Sequence, residues 1–270
     1  MALPQISVRS SGGVPRLFLD TSHLLAHNDA PMSRRAIDPF FIVTGTGRSG
    51  TSAVASVLHE SGVCMGTEFA PASEHNARGF YEDLQALEIN KRVMADAGLG
   101  DLRLAPALPA RSAFLAAAAA YREDMRRVAS AGAQGWKDPQ FCFTLESWLR
   151  ALDGRPRVIV CLRGPEGYYR SVLQIVGLIE RETAEAWWER HLRRLLEVIE
   201  EYGLDAHCVE YDALAADPQR TVAALAGFAG RPLDACYVDP SLRSHAHPVA
   251  ERHRALYERV RALGATARSR

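Results

Sequence analysis

The sequence predicts an α/β fold, with a parallel β-sheet flanked by helices on both faces. Three observations carry this. Short apolar runs at Pro39–Thr44 and Arg157–Leu162 have the continuous hydrophobicity of buried parallel strands. The first run passes through a glycine cluster directly into helical periodicity. Strand-like and helical segments then alternate, the pattern of right-handed crossovers over a shared sheet.

Taken in order, residues 1–38 mix Gly, Ser, Pro and polar residues with little periodicity. They read as an N-terminal arm, with a short strand at Arg16–Leu19. Residues 39–270 read as one domain, a size suited to a single large α/β core. After the first strand, Val54, Val57, Leu58 and Ser61 share a helical face, closed by Gly62. Helices are predicted over Glu82–Ala97 and over Ser112–Ser130, the latter with Ser112 as N-cap. Gln134–Lys137 reads as a short strand ended by Asp138-Pro139, and Phe141–Ala151 as a helix. Beyond the strand Arg157–Leu162, helices are expected at Glu166–Val176 and Thr183–Tyr202, the second with an apolar stripe through Trp188, Leu192, Leu195, Leu196 and Ile199. His207–Glu210 reads as a strand, Pro218–Ala229 as a helix closed by Gly230, and Ala250–Leu263 as a terminal helix.

Composition excludes several function classes. Thirty-two basic residues balance thirty-two acidic ones, so no broad positive field exists to grip nucleic acid. Five cysteines without a C-x-x-C pair give no zinc or redox signature. They read as reduced, buried thiols of a cytoplasmic protein. No signal peptide and no membrane-spanning run is legible. His245 and His247 lack an evident third ligand, so no metal is expected. Trp187, Trp188 and Tyr168 read as core or groove wall, and Arg190, Arg193 and Arg194 as a solvated helix face.

The chemistry lies in Gly45-Thr46-Gly47-Arg48-Ser49-Gly50-Thr51-Ser52, between strand and helix. Glycines let backbone amides approach an oxyanion, and the helix N-terminus adds partial positive charge. Thr51 and Ser52 add hydroxyl donors, and Arg48 a forked cation suited to phosphate or sulfate. The glycine spacing matches the start of a nucleoside-triphosphate loop, but Thr51 stands where that motif has Lys. A nucleotide with a different 5′ group fits better than ATP or GTP. The second element is Arg163, at the carboxyl end of a predicted strand, with Ser171 on the following helix. Ligands of open α/β sheets bind at that edge, and the two side chains can clamp one phosphate.

Together, Thr44–Ser52 and Arg163–Ser171 resemble the sulfotransferases that use 3′-phosphoadenosine 5′-phosphosulfate, whose fold is related to that of P-loop nucleotide hydrolases. Asn76–Asp83, Gly135–Pro139, Glu210–Pro218 and Asp239–Arg243 are similar to segments of the bacterial branch. The resemblance implies that Gly47, Arg48, Ser49, Gly50, Thr51 and Ser52 bind the 5′-phosphosulfate. It assigns the 3′-phosphate to Arg163 and Ser171, with Arg243 as a further contact. The implied reaction transfers a sulfuryl group to a hydroxyl or amine of a small-molecule or glycan acceptor. The steroid and phenol enzymes have Lys where Arg48 stands, and a catalytic His after a Lys where this chain reads Trp136-Lys137-Asp138-Pro139. The candidates for the acceptor's base are therefore Glu68, then Asp138, with Glu74, His75 and Glu82 behind them. Lys137 is a second cation for the transferring sulfate. A P-loop kinase or hydrolase, and a non-catalytic nucleotide-binding module of the same fold, are the alternatives.

Overall fold

The computed structural model describes residues 40–72, 79–99, 107–152, 154–239, 242 and 246–264. The expectations for residues 1–38, Glu74, His75, Arg243 and His245 lie outside the described residues, as do the first three residues of Asn76–Asp83.

The chain enters through β1 (Phe41–Gly45) and α1 (Thr51–Glu60). Then come α2 (Leu84–Asp96), α3 (Arg111–Ala118) and α4 (Arg122–Ala129). Next are β2 (Gly135–Lys137), α5 (Phe141–Ala151) and β3 (Arg157–Leu162). The rest comprises α6 (Pro165–Val176), α7 (Arg181–Tyr202), β4 (Ala206–Glu210), α8 (Tyr211–Ala216), α9 (Pro218–Ala229) and α10 (Glu251–Arg261). The strands pair in the order β2-β1-β3-β4, all parallel. The expected α/β sheet is present.

Strand periodicity divides the core between the two faces. Ile42, Val158, Val160 and Leu162 face a cluster containing Trp136, Trp148, Trp188 and Leu192. Phe41, Val43, Ile159 and Cys161 face the other way, onto Val54, Leu58, Val222 and Leu225. Every residue of β1 is buried. Covering both faces explains why its sequence does not alternate.

Three expectations are corrected. Ser112 is not a cap: α3 starts one residue earlier, from Ala110, with no side-chain cap bond. The expected single helix is divided by a 3₁₀ turn at Ala119–Tyr121. The Ala run explains this, because small side chains add little packing to hold one continuous register. The cysteines are not all core groups, since Cys236 is exposed. The helix α8 was not expected, because six residues are too few to display a helical period.

Two polar devices carry the fold toward the sheet's carboxyl edge. Asp83 caps α2, its Oδ1 accepting from the Gln85 and Ala86 amides at 3.0 and 3.1 Å. Its Oδ2 accepts from the Thr67 amide at 2.9 Å. The Leu84 amide donates to the Glu68 carbonyl at 2.8 Å, and the Ala70 amide to the Glu82 carbonyl at 2.9 Å. This small antiparallel bridge holds the segment carrying Glu68 against the start of α2. Asn90, wholly buried, is the second device. Its Oδ1 accepts from Thr144 Oγ1 and Trp148 Nε1, both at 2.8 Å, while its Nδ2 donates to Asp138 at 2.8 Å. A satisfied buried network of this kind fixes one arrangement of α2, α5 and the end of β2.

Candidate functional site at the sheet edge

The loop between β1 and α1 is shaped by backbone conformation. Gly45 has φ 137° and Gly50 φ 87°, a region that favours glycine. At Gly45 an added Cβ would fall 2.2 Å from the Cys161 carbonyl oxygen of β3. At Gly47 there is open space. Arg48 itself has φ 69°, unusual for a residue with a side chain. Left-handed backbone at a non-glycine persists where surrounding contacts impose it. The Ser49 amide donates to the Thr46 carbonyl at 3.2 Å, and the hydroxyls of Thr46 and Ser49 are bonded to each other. Helix α1 then starts from Gly50 with no side-chain cap bond and no acidic residue in its first turn. Its amide dipoles are thus left to favour an external anion.

The second strand end meets this loop. Arg163 Nη1 donates to the Arg48 carbonyl at 3.2 Å. Arg48 Nε donates to Ser171 Oγ at 3.3 Å. Arg48, Arg163 and Ser171, which the sequence suggested as parts of one site, are therefore joined. Ser171 is buried, whereas Arg48 is exposed. The Arg48 guanidinium is nonetheless held below its ordinary pKa, first by partial burial and next by the charge of Arg163. Two converging cations create a strong local preference for an anion.

Two supporting residues were not legible in the sequence. Gly167 lies one turn beyond Arg163, and a Cβ there would come within 2.9 Å of Arg163 Nε. A glycine within a helix, four residues after a strand-end Arg, was the available signal. Tyr211, first residue after β4, lies with Arg163 Cζ 4.1 Å from its ring centroid. Its place at the carboxyl end of a parallel strand could have marked it. Trp188 supplies Arg163 with a further tie, Nε1 donating to the Arg163 carbonyl at 2.8 Å.

At the end of β2, Lys137 is 3% exposed and its Nζ lies 2.6 Å from Glu82 Oε1. The ring of Phe80 lies 5.9 Å from the ammonium. Lys137 pairs across β1 with Val43, two residues before Gly45. Asp138 is 2% exposed, with Oδ1 accepting from the Gln140 amide and Oδ2 from Asn90. Glu68 is exposed. Among the described residues no hydrogen bond or ion pair joins its side chain to the loop.

Burial, then the nearby Glu82 charge, pushes the Asp138 carboxyl up to about 7. The Gln140 amide, Asn90 and Lys137 oppose the rise. The folded state therefore binds a proton that the unfolded chain releases. Asp138 contributes its stability below the ordinary carboxylate range and loses it as pH rises toward 7. Replacing Glu82 by Gln removes the like charge, so the Asp138 midpoint should fall. A carbon NMR titration of the side-chain carboxyl in wild type and Glu82→Gln measures this. An unchanged or higher midpoint would contradict the electrostatic account.

The four-stranded parallel sheet, with Arg48 and Arg163 meeting at its carboxyl edge, defines an α/β protein. The sequence profile of the sulfotransferase family matches residues 39–235. The chain belongs to the sulfotransferase family. No curated protein sequence matches it. Among solved structures it is similar to the sulfotransferase domain from the Synechococcus PCC 7002 olefin synthase, at 19% identity, covering 86% of this chain and 88% of that one, with a TM-score of 0.48. It is also similar to the sulfotransferase domain from the curacin biosynthetic pathway, at 15% identity, 83% and 91% coverage, and a TM-score of 0.42. No helix among the described residues is long and apolar enough to cross a membrane.

Proposed function

We propose that this sulfotransferase takes its sulfuryl group from 3′-phosphoadenosine 5′-phosphosulfate and passes it to a hydroxyl or amine of a small-molecule or glycan acceptor. The observation that carries the reading is the convergence of Arg48, Arg163 and Ser171 on one loop at the head of an uncapped helix. Two groups of donors suit a ligand with two anionic ends. No other group stands where a side chain at Gly47 would be, which leaves the loop backbone open to an approaching oxyanion. Thr51 in place of a P-loop lysine disfavours a triphosphate.

In this reading the loop amides, Arg48, Thr51 and Ser52 hold the 5′ end, with Gly47, Ser49 and Gly50 shaping the cradle. Arg163 and Ser171 hold the 3′-phosphate, with Arg243 as an added cation. The donor supplies an electrophilic sulfur bonded through oxygen to its 5′-phosphate. The acceptor oxygen or nitrogen forms the new bond to sulfur as the bond to the phosphate oxygen breaks. Arg48 and the α1 amides neutralise the charge gathering on the leaving phosphate. Lys137 adds a cation beside the transferring group, released from Glu82 when that group is bound. Glu68, exposed on its bridge, accepts the acceptor's proton. Asp138, with both oxygens engaged, ties β2 to α2 and α5 and acts on the site through Lys137's position.

The test is to supply a sulfur-labelled donor and magnesium ATP together with a mixed pool of hydroxylated and amino metabolites. Label is expected in organic sulfate or sulfamate with wild type, and to appear about a hundredfold more slowly, or slower still, with Arg48→Ala. Consumption of ATP with transfer of its terminal phosphate, and none of the sulfur label, would overturn the reading.

A further inference from the structure

Tyr211 touches both halves of the site. Its ring receives Arg163, whose Cζ lies 4.1 Å from the ring centroid. Its Cδ2 lies 2.9 Å from where a Cβ at Gly50 would stand. The ring thus occupies space that only a glycine at the head of α1 leaves open. Arg163 in turn donates Nη1 to the carbonyl of Arg48. A closed circuit results: from the loop at Gly50 to the Tyr211 ring, to the Arg163 guanidinium, and back to the loop at Arg48. Gly167 removes the Cβ that would displace Arg163 from this position, 2.9 Å from its Nε. Trp188 fixes the backbone of Arg163 from behind. A flexible arginine is thereby confined on several sides, and both the aromatic face and the Arg48 carbonyl contact the cationic group itself.

We infer that Tyr211 is a positioning residue, which sets the Arg163 guanidinium against the loop so that the two anion-binding arms act as a unit. The inference rests on the proposed reading that Arg163 receives the 3′-phosphate. A guanidinium stacked on an aromatic face keeps its planar donors directed sideways, where a phosphate can meet them. Ordering it in advance removes a cost that ligand binding would otherwise meet. Because the same ring packs on Gly50, a shift at either arm is felt at the other.

The experiment is a calorimetric double-mutant cycle with 3′-phosphoadenosine 5′-phosphate, using wild type, Tyr211→Leu, Arg163→Ala and the double variant. Tyr211→Phe, which keeps the face and the packing, is expected to bind within about twofold of wild type. Tyr211→Leu should weaken binding about tenfold, the scale of one desolvated cation–π contact. In the Arg163→Ala background the leucine should cause no further loss. An equal loss in both backgrounds would show that the ring acts on the nucleotide by itself, and would overturn the inference. So would full affinity in Tyr211→Leu alongside weakened Arg163→Ala, with the site reading intact. If Arg163→Ala binds as wild type does, the site reading falls and the inference with it. Tyr211→Met fills the ring's volume without its π face, and carries the same expectations where the leucine variant does not fold.

Discussion

Arg48→Ala is expected to lower the rate of sulfuryl transfer by about a hundredfold or more while the protein stays folded, as when one transition-state donor is removed. The residue is exposed, so few packing contacts are lost. What goes is a cation at the head of α1, whose Nε also meets Ser171 at 3.3 Å. In sulfuryl transfer, as in phosphoryl transfer, charge moves onto the leaving oxygen and the protein's main task is to receive it. Arg48→Lys retains the charge but not the fork, and should recover part of the rate. Rates measured under saturating donor separate lost transition-state stabilisation from weaker binding. A variant as fast as wild type would remove Arg48 from the site.

Gly45→Ala is expected to unfold or severely destabilise the chain, by about 4 kcal/mol, because strain in the backbone and overlap with a neighbouring strand add together. The glycine's φ of 137° is poorly tolerated by any L side chain. Its Cβ would also lie 2.2 Å from the Cys161 carbonyl oxygen. That atom is backbone of a central strand and cannot swing aside. A loss of this size is a large share of a domain's usual stability of roughly 5–15 kcal/mol. Chemical denaturation checks it. By contrast Gly47→Ala has open space around it and should leave stability nearly unchanged, which makes it the matched control.

These two glycines show what the sequence made legible. The strand–glycine–helix unit at Phe41–Glu60 announces itself locally, because a buried strand, a left-handed turn and a helix start each have distinct residue requirements. The Arg163–Ser171 arm is legible for the same reason, lying at a strand end and on the helix that follows it. The contacts that join the arms are not local. Tyr211 reaches Gly50 and Arg163 only after β4 has paired with β3, and an aromatic after a short strand has many ordinary uses. Lys137 was visible as a cation, but its burial against Glu82 joins residues fifty-five positions apart, which no local spacing encodes. Asp138 likewise stood out beside Pro139. Its engagement by Asn90, forty-eight residues away, follows from helix packing that no sequence spacing encodes. Ala-rich Ser112–Ser130 reads as one helix because propensity is summed residue by residue, whereas the structure breaks it at a 3₁₀ turn.

The most direct test of the central claim is a calorimetric titration of wild type, Arg48→Ala and Arg163→Ala with 3′-phosphoadenosine 5′-phosphate, beside 5′-AMP and magnesium ATP. The account predicts micromolar affinity for the bisphosphate, about −8 kcal/mol, poor binding of the other two nucleotides, and weakening in both variants. Tighter binding of magnesium ATP, or indifference of bisphosphate binding to both substitutions, would contradict it.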